Sequence, residues 1–191
     1  MNLREAMTST TTQRKSSKPK TVTDRYLIYD ISLTSPGFAV IDVTNRIATL
    51  ITTAHATSDA AQPDGQRFAI VEAFAITTAS AYGTVKNGAV TVIREDYMNP
   101  KQKRQGQTVF GAWAAVDSGL QRCGLTVSAE INATTVKRVV GGHGKADKDE
   151  VAAGVKRILS LPESYVFATN DESDACGIGL TYLIEKGLID V

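Results

Sequence analysis

Apolar residues gather first into short runs of strand length and later spread out at helical spacing. The segment YLIYDI (26–31) is almost continuously apolar, with Asp30 its only charge, the pattern of a central strand covered on both faces. TSPG (34–37) supplies a turn, and FAVIDV (38–43) and RIATLITTA (46–54) complete an antiparallel three-stranded meander. From residue 64 the period changes: Phe68, Val71, Ala75, Ile76 and Ala79 recur at helical spacing, and Gly83 is the expected stop. A fourth strand (89–96), a second helix (107–124) and a fifth strand (125–131) follow. Two shorter helical segments come next, the second opened at Asp147 by the Asp-x-x-Glu form of a capping box. A last helix begins NDESDACGIG (170–179).

The order βββαβαβ followed by helices predicts an α/β fold with a five-stranded mixed sheet, strand order 3-2-1-4-5, flanked by helices on both faces. Right-handed crossovers place strand 4 beside strand 1. Residues 1–24 are rich in Ser, Thr, Lys and Arg with little to bury, so they read as a disordered basic tail, with 25–191 as one domain. An organelle transit peptide fits this tail poorly, since Glu5 interrupts it and no amphipathic period is evident. The chain has 191 residues and a formal net charge of +1, so any affinity for a polyanion must come from local clusters. Cys123 and Cys176 form no metal-binding or disulfide pattern, which fits a reducing interior. No run reaches the roughly 18–20 apolar residues of a membrane span, so the expectation is a soluble, intracellular, cytoplasmic protein.

The chemistry is carried by acids in unusual places. Asp30 sits in an apolar strand where an unpartnered carboxylate costs several kcal/mol, and Glu95 ends the apolar part of the neighbouring strand. With Asn170 as N-cap, Asp171 and Asp174 share one face of the first turn of the last helix, and Glu172 points roughly 100° away. Acids favour helix N-termini for the macrodipole alone. Four acids from three segments converging on one place demand more, namely a divalent cation, and oxygen-only ligands point to Mg²⁺ or Mn²⁺. Two such ions per site suit phosphodiester hydrolysis.

The ordered set YDISLTSPGFAVID, VIREDYM, NATTVKRVVGGHGKADKDEVAAGVKRIL and DESDACGIGLTYLI resembles the RuvC-type Holliday-junction resolvases of the RNase H-like nuclease superfamily, over about residues 25–186. The resemblance implies that Asp30, Glu95, Asp171 and Asp174 are the catalytic metal ligands. It also implies that Lys137 and Lys148 lie near the scissile phosphate, Lys148 with a catalytic role. The family's Asp-Pro-Gly is here Asp30-Ile31-Ser32, with Pro36-Gly37 later, and Met98 replaces an aromatic of the bacterial enzymes, Tyr97 lying one position earlier. These departures suggest a divergent, phage-like branch, in a bacterium or a phage-infected host.

DNA contacts are expected from Lys101, Lys103 and Arg104, and from Lys137, Arg138, Lys145 and Lys148 around the loop GGHG (141–144), where His143 is a further candidate. His55 has no evident role. Trp113, spaced helically with Phe110, Val116 and Leu120, reads as core or dimer interface, and Gly111, Ala112 and Ala115 would permit close helix contact between protomers. A four-way junction is two-fold symmetric, so one site per chain implies a homodimer. The expected activity is resolution of such junctions by paired symmetric nicks. A broader nuclease on forks and flaps, or a non-catalytic junction-binding module, remains open on the same residues. A sugar-kinase-like ATPase would need two domains, and this chain has room for one.

Overall fold

β-Branched and aromatic residues dominate the first three apolar runs, and each becomes a strand: β1 (Asp24–Asp30), β2 (Gly37–Thr44) and β3 (Ile47–His55). The computed structural model describes residues 21–96 and 103–191. Residues 1–20 of the expected tail, and Lys101, Tyr97 and Met98, lie outside the described residues. Asp24, which the sequence assigns to the tail, opens β1, and just before it the Thr23 N–H donates to Asn87 O at 2.8 Å.

The chain continues as α1 (Asp64–Tyr82), β4 (Val90–Asp96), α2 (Lys103–Arg122), β5 (Val127–Asn132), α3 (Ala133–Val139), α4 (Lys148–Ile158) and α5 (Asn170–Glu185). The strand order is β3-β2-β1-β4-β5, with β1–β2 and β2–β3 antiparallel and β1–β4 and β4–β5 parallel. This is the mixed sheet of an RNase H-like α/β fold.

Strand alternation sorts the core into two layers. Leu27, Tyr29, Phe38, Val40 and Val92 pack with Val71 and Ala75 of α1 and with Ala112, Val116 and Leu120 of α2. Tyr26, Ile28, Ala39, Ile41 and Ile93 pack on the other side with Val136 of α3, Val151 and Val155 of α4, and Ala175, Ile178 and Leu180 of α5. The α1 stripe is shifted from the expected one: Arg67, Val71, Ala75, Thr78 and Ala79 are the buried residues.

The small residues of α2 act within the chain. A Cβ on Gly111 would meet the Phe68 ring at 2.2 Å, and one on Gly119 would meet Ala75 Cβ at 2.8 Å. They let α2 close on α1. Trp113 is half-buried beneath the Arg94 guanidinium, 4.1 Å from its ring centroid, whereas Phe110 is exposed.

Candidate active site

In the parallel β1–β4 pair Tyr29 is registered with Arg94, so the next residues, Asp30 and Glu95, end the two strands side by side. Alternation turns both toward the α3–α5 layer, away from Tyr29 and Arg94. The two carboxyls are hydrogen-bonded to each other. Loss of surrounding water, reinforced by the charges of Glu95, Asp174 and Asp171, holds Asp30 well above the usual carboxylate range. Burial likewise raises Glu95, against the lowering effect of its hydrogen bond with Asp30.

Helix α5 supplies the other two acids. Its N-cap is Thr169, not Asn170, and the Thr169 hydroxyl accepts the Glu172 N–H. Asp171 and Asp174 still share one face, and one oxygen of each lies within 4.8 Å of the other and of an Asp30 oxygen. This close docking requires Gly37, where a Cβ would lie 2.0 Å from Asp171 O. Gly37 pairs with Asp30, so the displaced Pro36-Gly37 still falls beside the first acid. The loop before it contributes Ser35, whose hydroxyl donates to Asp171 Oδ2 at 2.6 Å. Three clustered carboxylate oxygens, with Glu95 alongside, are a donor set that could hold a divalent cation.

A cleft of about 350 Å³ opens at this cluster, and its lining includes Asp30, Glu95, Asp147 and Asp174 together with Lys137 and Lys148. The capping box of α4 is formed as expected, with the Glu150 N–H donating to Asp147 Oδ1 at 2.9 Å and the Asp147 N–H to Glu150 Oε2 at 2.8 Å. It fixes the turn carrying Lys148, whose ammonium donates to Asp174 Oδ2 at 3.0 Å. That hydrogen bond raises the Lys148 pKa, so the ammonium stays charged at neutral pH.

Among the described residues, Arg138, His143 and Lys145 do not line this cleft. Arg138 donates to Glu185 Oε1 at 3.2 Å, at the end of α5 remote from Asp171. His143 pairs with Glu150 at 3.2 Å instead of with any of the four acids, and Lys145 is exposed in the loop before α4. Lys103 and Arg104 stand in the first turn of α2.

The residues that sequence reasoning missed are Glu172 and His55. Glu172 is only 5% exposed. Its Oε1 lies 2.7 Å from His55 Nδ1, and its Oε2 accepts from Thr53 Oγ1 at 2.7 Å and from the Ala168 N–H at 3.2 Å. A β-bulge conceals the pairing. The β2–β3 register shifts between Val40 and Ile41, which pair with Thr52 and Leu50 and leave Ile51 as the extra residue. Even-numbered Ala48 and Leu50 therefore face α5 together with odd-numbered Thr53 and His55.

No family model matches the chain. A crossover junction endodeoxyribonuclease RuvC from Leifsonia xyli subsp. xyli is 30% identical over 172 residues, 87% of this chain and 77% of that protein. The protein of the same name from Burkholderia thailandensis is 30% identical over 83% of this chain and 82% of its own length. Two further curated relatives of that name are 39% and 45% identical, but the chain spans only 35% and 32% of their length in those matches. Thermus thermophilus RuvC, solved in complex with a Holliday junction substrate, superposes with a TM-score of 0.70 at 24% identity, over 85% of this chain and 94% of that one. Fold and acidic cleft together define the class as the RNase H-like nucleases. Within that class, the chain belongs to the RuvC family of crossover junction endodeoxyribonucleases.

Proposed function

We propose that this protein is a structure-selective endodeoxyribonuclease that resolves four-way DNA junctions by paired symmetric nicks. The observation that carries this reading is the meeting of Asp30, Asp171 and Asp174 oxygens within 4.8 Å, beside Glu95, in a RuvC-family chain. These four acids would hold two divalent ions, Mg²⁺ or Mn²⁺. Bound there, the ions would activate a water and stabilise the departing oxygen.

The chain's own groups provide the remainder. Asp30 and Glu95 come from the ends of adjacent strands, and Asp171 and Asp174 from the first turn of α5. Water oxygen attacks phosphorus and the bond to the 3′ oxygen breaks, leaving a 3′-hydroxyl and a 5′-phosphate. Lys148, in the cleft beside Asp174, offsets charge that builds on the phosphoryl oxygens. Lys137 lines the same cleft and would bind the backbone of the branched DNA, with Lys101, Lys103, Arg104, Arg138, His143 and Lys145 as additional phosphate contacts. Two opposed cuts on a symmetric junction call for a homodimer, for which sedimentation equilibrium at micromolar concentration is the check.

The decisive experiment is cleavage of a labelled synthetic four-way junction with Mg²⁺, beside a fork, a flap and a linear duplex, with Asp174→Asn as control. Paired nicks confined to the junction and absent from the variant are expected. Equal cutting of every branched form would make it a general debranching nuclease. Tight junction binding without cutting would make it a binding module.

A further inference from the structure

Between two of the proposed ligands, in the first turn of α5, sits a buried carboxylate for which hydrolysis has no use. Glu172 follows Asp171 and precedes Asp174 by two residues. Both of its oxygens are occupied, by His55 and Thr53 from β3 and by the Ala168 N–H from the loop before the helix. Burial opposes its ionisation, but these hydrogen bonds outweigh burial and lower its pKa.

The position of the pair in the sheet gives it a purpose. His55 is registered with Gly37, and Gly37 with Asp30, so the three form one row across the sheet. Glu172 therefore ties the helix turn that carries two acids to the same row that carries the first. On the other flank, Ser35 holds Asp171 directly. Along the rest of its length α5 is fixed by apolar burial of Cys176, Leu180 and Leu183, and by Gly179 against Ile28. His55 is thus needed for the placement of the first turn and not for the docking of the helix as a whole.

We propose that His55 and Glu172 are positioning residues that set the spacing of Asp171 and Asp174 from Asp30, and thereby the affinity of the site for divalent cations. The inference rests on the metal-binding part of the function proposed above. Groups that orient a ligand without touching the metal typically change metal affinity 10- to 100-fold when removed.

The test is Mn²⁺ binding by isothermal titration calorimetry on the full chain, for wild type, His55→Ala, His55→Asn and Asp174→Asn, with melting in EDTA alongside. His55→Ala should weaken Mn²⁺ binding at least about tenfold while still melting cooperatively close to wild type. His55→Asn, which keeps an N–H where Nδ1 stood, should recover most of the affinity. Glu172→Gln is the second variant: its amide can satisfy His55, Thr53 and Ala168 with no charge, so it should bind Mn²⁺ better than His55→Ala. Wild-type Mn²⁺ binding that Asp174→Asn abolishes and His55→Ala leaves intact would overturn the positioning role alone. Parallel loss of affinity and cooperative melting in both His55 variants would overturn it as well, since the pair would then merely hold the fold. No Mn²⁺ binding by wild type would overturn the metal site and this inference together.

Discussion

Asp30 and Glu95 share a hydrogen bond at the ends of adjacent strands, and both have raised pKa values, for which loss of water is the leading cause. The native state therefore keeps protons that the unfolded chain has already released above about pH 4. Stability in EDTA should then fall as pH rises from the unfolded carboxyl range through the native values, because the native state binds more protons across that window. Asp30→Asn should remove much of this penalty and raise the metal-free melting temperature, at about 2–4 °C per kcal/mol for a chain of this size. Mg²⁺ should stabilise wild type but scarcely the variant, by differential scanning fluorimetry. Lys148 carries the opposite charge into the cleft. Lys148→Ala should lower the single-turnover cleavage rate by roughly 10²-fold, the usual cost of one preorganised donor to transition-state charge. Glu172 and His55 show where residue-level reading reaches its limit. Charge within an apolar strand announces Asp30, whereas a Glu in a helix's first turn looks like any dipole-favoured acid.

At the scale of elements, the site depends on how closely α5 approaches β2. Gly37 is what allows that approach, because a Cβ there would collide with the Asp171 carbonyl at 2.0 Å. Gly37→Ala should cost about 1–3 kcal/mol in urea denaturation, the range for overpacking a closed interface. It should also weaken cleavage beyond that loss, since the displaced element bears two of the acids. The helices themselves were well marked in the sequence. The Asp147–Glu150 capping box formed as read, while the last helix begins one residue earlier than expected because Thr169, in extended conformation, takes the cap. Neighbouring Thr and Asn are both good caps, and backbone dihedrals choose between them.

The whole molecule has a net charge of only +1, yet the proposed substrate is a polyanion. Affinity must come from cations gathered around one cleft, where Lys137 and Lys148 sit among Asp30, Glu95, Asp147 and Asp174. Junction binding, measured by fluorescence anisotropy in Ca²⁺, should fall linearly on a log–log plot against salt, and Lys137→Ala should reduce the slope by about 1. Apolar bulk, by contrast, is spent on two layers that hold the sheet. The small residues of α2, which on their own suggest contact between protomers, lie against α1. Among the described residues no helix is long and apolar enough to cross a membrane.

Local order settled much of this protein in advance. Alternation and helical spacing are properties of neighbouring residues, so the strands, the helices and the layered α/β class follow from the chain itself. The handedness of crossovers then brings Asp30 beside Glu95. Tertiary structure decided what depends on register and approach. The bulge at Ile51 reverses the phase of β3 and turns His55 toward a carboxylate 117 residues away. The docking of α5 brings Asp171 and Asp174 to Asp30. Neither is encoded in any local pattern, because a strand's phase and a helix's seat are set only by the partners against which they close.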